Sequence, residues 1–153
     1  MLTFLKLGGS LITDKTREGT FLPDVAARIA SEIYDGMAAK ADRSLLIGHG
    51  SGSFGHVAAQ RYGTMQGVDT ADEWRGYAEV ANTAAELNYL MGKALWAAGV
   101  PVIRIQPSAS SLSHNGTIVE MAVEPARAAL AHGLSPLVYG DVSLDETRGG
   151  TII

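Results

Sequence analysis

Short apolar segments that end in glycine alternate along this chain with segments of helical periodicity. Met1 to Leu7 is followed by Gly8-Gly9, Ser44 to Ile47 by Gly48, and Pro136 to Tyr139 by Gly140. Val100 to Ile105 is a further apolar segment of strand length. Strands that alternate with helices predict an α/β protein with a mostly parallel sheet sandwiched by helices.

The segments between the strands have the spacing and the end signals of helices. Val25, Ile29, Ile33 and Met37 recur every four residues after Pro23-Asp24, and this helix is predicted to end across residues 38–43. Thr70 and Glu73 have the spacing of a capping box, which predicts a long helix from there to about residue 98. Shorter helices are predicted at 54–62 and 125–131, and hairpin turns at 116–119 and 148–150.

Three glycine-bearing loops are expected to meet at one edge of the sheet. They are Gly8-Gly9-Ser10, Gly50 to Gly55 and Gly140-Asp141. In parallel sheets, ligands bind beyond the carboxyl ends of the strands. The segment from Gly48 to Gly55 runs into a helix, and a glycine loop that opens a helix can surround a phosphate with backbone N–H groups. The alternative is an ordinary tight turn, and neither a Walker A nor a Rossmann fingerprint is present.

Two cationic residues beside these loops are candidates for phosphate contact. Lys6 lies inside an apolar strand, where its ammonium either reaches a ligand or emerges at a sheet edge. His56 begins the helix after the loop and either donates to a bound phosphate or has a structural role. His49 begins the same loop and is expected to be structural, and Lys15 by itself would be a solvated surface lysine.

The acidic residues and the remaining histidines give weaker signals. Asp141 is expected to orient the lysines or stabilise its loop, with a simple turn aspartate as the alternative. Asp145 and Glu146 are interpreted as a solvated turn. His114 and His132 are interpreted as surface residues. No metal-ligand spacing was found, so no metal ligand is predicted.

Composition excludes several classes of function. The 153 residues carry 12 Lys and Arg against 16 Asp and Glu, a formal net charge of −4, without the basic stripe that nucleic-acid binding requires. The absence of cysteine excludes disulfides, thiolate metal sites and cysteine nucleophiles. No signal peptide and no apolar run of membrane-spanning length was identified, so a cytoplasmic protein without membrane contact is expected.

Four segments together resemble one known family. Residues 6–15, 49–56, 106–109 and 138–142 are similar, in this order, to isopentenyl phosphate kinases, which belong to the amino acid kinase superfamily. The Lys-x-Gly-Gly-Ser start at Lys6 is found across the superfamily. The ending Gly52-Ser53-Phe54-Gly55-His56 is more specific to isopentenyl phosphate kinases and their near relatives.

The resemblance implies a reaction and a role for each matching residue. ATP, with Mg²⁺, would phosphorylate isopentenyl phosphate to isopentenyl diphosphate in isoprenoid biosynthesis. Lys15 would stabilise transition-state charge together with His56 and Lys6. The acceptor phosphate would be held by Ser51, His56 and Gly140. The ATP phosphates would be contacted by Lys6, Leu7, Gly8, Gly9, Ser10 and Gly52. Superfamily members are commonly homodimers, so a homodimer is expected.

Length is the main departure from that pattern. Family members continue into a second half that binds the nucleotide, and the 153 residues are therefore expected to be the N-terminal substrate- and phosphate-binding part of an amino acid kinase-like αβα domain, with the C-terminal nucleotide-binding half missing. Two alternatives stay open beside the isopentenyl phosphate kinase. One is a kinase for another small phosphate or phosphonate, such as a fosfomycin kinase. The other is a truncated, non-catalytic phosphate-binding module.

Overall fold

The computed structural model describes residues 1–39 and 43–153, which form two sheets and five α-helices. The strands are β1 (Leu2–Leu7), β2 (Ser44–His49), β3 (Val102–Arg104), β4 (Ser111–His114), β5 (Thr117–Met121), β6 (Ser135–Tyr139), β7 (Val142–Asp145) and β8 (Gly149–Ile152). The helices are α1 (Gly9–Ile12), α2 (Pro23–Ala38), α3 (Gly52–Tyr62), α4 (Ala71–Ala97) and α5 (Glu124–Ala131), and Pro107–Ala109 form a short 3-10 helix.

The first sheet is the parallel sheet that the alternating pattern predicts. Its strand order is β1-β2-β6-β3, and every pairing in it is parallel. Alternate residues of the strands, among them Leu7, Ile47 and Leu137, pack against α2 and α4 in one apolar core. The α/β fold class is therefore confirmed.

The two long helices follow their sequence signals closely. Ile29 and Ile33 are buried on α2, and Leu87 and Met91 are buried on α4. The capping box at the start of α4 is present, because the Thr70 hydroxyl accepts from the Glu73 N–H and the Glu73 carboxylate accepts from the Thr70 N–H. The predicted end of α2 falls partly on residues 40–42, which lie outside the described residues.

One local prediction needs correction at the N-terminus. The apolar character of residues 1–7 favours a buried strand, but β1 is an edge strand of the described sheet and Phe4 is 71% exposed. Lys6 is exposed on the same strand, so its charged ammonium is not buried and no free-energy cost of burying it arises. After Gly8 the chain forms the single helical turn α1 instead of continuing as a loop.

The second sheet was not predicted as a separate layer. Its order is β5-β4-β7-β8, with two antiparallel hairpins joined by a parallel pairing of β4 with β7. Both predicted hairpins are present, but their turns lie earlier than predicted, at residues 115–116 and 146–148. Because this sheet is mostly antiparallel, only the first sheet has the predicted parallel character.

Asp145 is not part of a solvated turn, and that interpretation was wrong. Its side chain is 5% exposed and accepts hydrogen bonds from the N–H groups of Gly116 at 2.7 Å, Thr147 at 2.9 Å and Arg148 at 2.9 Å. Burial opposes ionisation of this carboxyl, but these hydrogen bonds outweigh it and hold the pKa of Asp145 well below its usual range. The carboxylate joins the two hairpin turns.

None of the helices in the described ranges combines the length and the apolar character that a membrane span requires.

The lowered pKa of Asp145 predicts an acid-sensitive component of stability. A carboxyl whose pKa is lower in the folded state stabilises the fold above its unfolded pKa of about 3.9, and this contribution disappears as the pH falls toward the folded value. We expect Asp145→Asn to lower the free energy of unfolding at pH 7, and the difference from the wild type to shrink between about pH 4 and pH 2. Urea denaturation of both proteins between about pH 7 and pH 2 measures this difference in the free energy of unfolding.

Glu146→Gln is the matched control, because Glu146 is the adjacent residue and its side chain is about half exposed. It should leave the acid limb of the stability curve almost unchanged. An Asp145→Asn variant with the same pH dependence as the wild type would contradict the assigned hydrogen bonds.

Candidate phosphate site

The three glycine loops meet at the carboxyl edge of the parallel sheet, as the sequence predicts. The Gly50 N–H donates to the Leu7 carbonyl at 3.2 Å, which joins the second loop to the end of β1. The Gly140 N–H donates to the His49 carbonyl at 2.9 Å, which joins the third loop to the end of β2. The loops thus form one continuous backbone surface beyond the strands.

Two of these loops approach so closely that side chains are excluded. A Cβ on Gly9 would overlap the nitrogen of Gly52 and lie 2.7 Å from Gly52 Cα and 2.9 Å from Gly50 O. Gly52 has a φ of +53°, and a Cβ there would overlap the Thr13 hydroxyl. Glycine is therefore required at both positions by space, and at Gly52 by backbone conformation as well.

Thr13 holds the start of α3 against the first loop. Its hydroxyl donates to the Gly9 carbonyl at 2.8 Å and accepts from the Ser53 N–H at 3.1 Å. Thr13 and Ser53 are buried and Gly9 is partly buried, so this bridge fixes the helix N-terminus relative to α1. Sequence reasoning assigned no role to Thr13, because its partner Ser53 is 40 residues away.

An open cavity of about 1070 Å³ lies over the glycine loops. Apolar side chains of the uncovered sheet face, including Phe4, Leu46 and Val138, line one part of it. Cationic and polar groups line the other part, including Lys6, Lys15 and His56.

Most residues predicted for the site line this one cavity. They are Lys6, Gly9, Ser10, Lys15, Ser51, Gly52, His56 and Gly140. Leu7 and Gly8 are not among the lining residues: the Leu7 side chain is buried in the core, and the Gly8 carbonyl accepts from Leu11 N–H. The α4 residues Trp74, Tyr77 and Met91 are likewise not among them, and Met91 lies in the core.

His49 lies beneath the glycine loop and has the structural position expected of it. The side chain is 2% exposed, stacks on Tyr139 and contacts the Gly50 carbonyl and the Asn88 amide. Burial lowers the pKa of His49, and the hydrogen bond with Gly50 opposes this only in part. Asn88 gives no sequence signal, since a polar residue on a long helix is usually solvated.

Among the roles expected of Asp141, the structure supports stabilisation of its own loop. The carboxylate is 1% exposed and accepts from the N–H groups of Ser108 at 3.0 Å and Val142 at 2.9 Å. Burial and the nearby Asp141 carboxylate raise the pKa of Tyr77 to about 12. Burial, the Asp141 charge and a hydrogen bond to Asp141 also raise the pKa of Tyr139. Both phenols are therefore neutral at physiological pH.

The chemistry of the cavity fits an anion. Its described lining residues include Lys6, Lys15, His56 and the nearly buried His49, and no aspartate or glutamate. Within residues 1–39 and 43–153, no group of three or more His, Cys, Asp and Glu side chains is arranged to hold a metal ion. Glycine N–H groups and a helix N-terminus add positive partial charge at the same place. The other histidines lie elsewhere: His132 contacts the Ala128 carbonyl and His114 pairs with Glu146.

A parallel α/β sheet with a glycine-built anion site at its carboxyl edge defines a class of phosphate-binding proteins that several families share. The sequence pattern of the amino acid kinase family matches residues 1–152, so the chain belongs to this family. The resemblance stated from the four motifs is thereby confirmed at the family level.

Within the family, the chain is similar to isopentenyl phosphate kinases. It is 40% identical over 152 residues to that of Methanothermobacter thermautotrophicus, covering 96% of this chain and 56% of the relative. An X-ray structure of an isopentenyl phosphate kinase superposes with a TM-score of 0.89 at 39% identity, covering 100% of this chain and 63% of the other. The product complex of the T. acidophilum isopentenyl phosphate kinase superposes with a TM-score of 0.80 at 29% identity, covering 99% of this chain and 60% of the other. The chain spans less than two thirds of the length of these relatives.

The close approach of the loops predicts different outcomes for two glycine substitutions. Gly9→Ala should force the backbones apart, destabilise the protein by about 1–3 kcal/mol and weaken phosphate binding at least about tenfold. Thermal unfolding and calorimetric titration with inorganic phosphate measure the two effects.

Gly36→Ala is the control, since Gly36 is exposed on α2 and a Cβ there meets nothing within 4 Å. It should stabilise the helix by about 0.5–1 kcal/mol and leave phosphate affinity unchanged. Unchanged affinity in Gly9→Ala would mean that the observed loop packing is not needed for anion binding.

Proposed function

We propose that the protein phosphorylates isopentenyl phosphate with ATP, giving isopentenyl diphosphate and ADP. The observation that carries the proposal is the single cavity that combines three glycine loops with Lys6, Lys15 and His56. The similarity to isopentenyl phosphate kinases supports this choice of substrate. Because the chain spans 56% of one such relative, residues 1–153 are proposed to form the substrate- and phosphate-binding part of the enzyme.

The charge of the cavity supports a phosphate acceptor over a hydroxyl acceptor. A kinase that phosphorylates a hydroxyl uses a carboxylate to accept the hydroxyl proton. A phosphate monoester needs no such base, since its second pKa is about 6 and its oxygens are ionised at pH 7. The described lining of the cavity has no aspartate or glutamate and includes Lys6, Lys15 and His56, which matches the second case.

The proposed roles follow from where charge changes in the reaction. An oxygen of the acceptor phosphate forms a bond to the γ-phosphorus of ATP, and the bond from that phosphorus to the β–γ bridging oxygen breaks. His56, Ser51 and Gly140 hold the acceptor phosphate, and Lys15 neutralises charge on the transferred group. The ATP phosphates are proposed to be contacted by Lys6, Leu7, Gly8, Gly9, Ser10 and Gly52, of which Leu7 and Gly8 do not line the described cavity.

Mg²⁺ is proposed to accompany ATP through the nucleotide phosphates. When bound, it would neutralise phosphate charge. The described residues that line the cavity supply no carboxylate ligand for it, so no step of the reaction is derived through the metal.

Substitution of His56 tests the proposed acceptor site. His56→Ala should weaken isopentenyl phosphate binding by about 10- to 100-fold, the effect of losing a hydrogen bond to a charged group. His132→Ala is the control, because that side chain is exposed and bonds only within its own helix region at Ala128. Calorimetric titration compares the two variants, and equal affinities would contradict the placement of the acceptor phosphate at His56.

Product analysis separates the proposed kinase from the two alternatives. Phosphorus NMR of a mixture of a full-length version of the enzyme, ATP, Mg²⁺ and isopentenyl phosphate should show isopentenyl diphosphate and ADP, with fosfomycin a poorer acceptor. Faster turnover of fosfomycin would contradict the substrate. Binding of isopentenyl phosphate without turnover would favour the non-catalytic phosphate-binding module.

A homodimer is proposed from the family resemblance alone. Sedimentation equilibrium is the measurement that decides it, and a monomer at micromolar concentration would contradict it.

A further inference from the structure

His49 makes contacts that determine the protonation of both of its ring nitrogens. Nδ1 lies 3.0 Å from the Gly50 carbonyl oxygen, and Nε2 lies 3.1 Å from the Asn88 side-chain nitrogen. A carbonyl oxygen only accepts, so Nδ1 must carry the proton. An amide nitrogen only donates, so Nε2 must be unprotonated. The neutral Nδ1–H tautomer satisfies both contacts at once.

The hydrogen bond to Gly50 determines which way the next N–H group points. The C=O and N–H groups of a planar trans peptide point in opposite directions. The Gly50 carbonyl is held toward the buried His49 ring, so the N–H of Ser51 points away from it. Among the described residues, no acceptor is found for this N–H, and Ser51 lines the cavity.

The same histidine joins the second and third glycine loops. Its ring stacks on Tyr139 at 5.9 Å with an interplanar angle of 15°, and its carbonyl accepts from Gly140 N–H at 2.9 Å. A Cβ on Gly140 would lie 3.5 Å from Ser51 N. His49 therefore holds both the Ser51 N–H and Gly140, which leaves space beside that N–H.

We propose that His49 is a positioning residue, which aims the Ser51 N–H at the acceptor phosphate and whose tautomer is fixed by Asn88. It acts through the Gly50–Ser51 peptide without touching the ligand. The inference rests on the proposed function for the identity of the acceptor, while its geometry concerns any phosphate bound at this loop.

Two amide substitutions separate this role from simple packing. In His49→Asn, the side-chain amide takes the place of Nδ1 and retains a donor for Gly50. In His49→Gln, the amide takes the place of Nε2 and lacks that donor. Both variants lose the ring and its stacking. We expect His49→Asn to bind inorganic phosphate and isopentenyl phosphate within about threefold of the wild type, and His49→Gln to bind both at least about tenfold more weakly. Equal losses in the two variants would overturn the proposal.

Nitrogen NMR of the imidazole ring gives a second test that needs no ligand and no variant at position 49. The wild type should show a protonated Nδ1 and an unprotonated Nε2. Asn88→Leu should lose the single tautomer and bind phosphate more weakly. A wild type with a protonated Nε2 and an unprotonated Nδ1 would overturn the proposal, even if the position-49 variants fail to fold.

The two anions distinguish failure of this inference from failure of the proposed function. Binding of inorganic phosphate without binding of isopentenyl phosphate would contradict the proposed substrate, and the Asn and Gln variants would still decide the role of His49. Absence of binding of either anion to the wild type would contradict both.

Discussion

The close packing of two backbone segments, at Gly9 and at Gly50 to Gly52, is the constraint on which the rest of the site depends. A Cβ on Gly9 would lie 2.7 Å from Gly52 Cα, so no other residue can occupy the first position without separating the loops. The contact fixes the start of α3 against the end of β1, and the Thr13 hydroxyl bridges both. Backbone N–H groups can surround a phosphate only because side chains are excluded here.

Charge is concentrated locally in a protein that is acidic as a whole. The formal net charge is −4, yet the described residues around the cavity contribute Lys6, Lys15 and His56 and no carboxylate. In the proposed function, such a site holds a phosphate through short-range contacts, because the overall field of the protein does not favour anions. It also suits an acceptor that is already ionised. Behind the loops, His49, Tyr139 and Asp141 form a buried polar layer that connects the carboxyl ends of β2 and β6.

The sequence predicted the parts of the structure that rest on local signals. The strands that end in glycine, the stripe on α2 and the capping box of α4 all depend on residues within a few positions of each other. The second sheet could not be predicted, because β4 pairs with β7 across 32 residues. Asp145 was misinterpreted for the same reason, since its donor Gly116 is 29 residues away. The exposure of Lys6 depends on its position, with Phe4, on the sheet face that is open to the cavity, which no local pattern reveals.

Backbone amide NMR during titration with isopentenyl phosphate tests the central claim most directly, that the three loops form one phosphate site. Saturable shifts should concentrate at the amides of Gly9, Ser10, Gly140 and residues 51–56. The amides of the second sheet, at Gly116 and Gly149 for example, should stay unchanged. Shifts confined to the second sheet, or an absence of saturable shifts at the glycine loops, would contradict the claim.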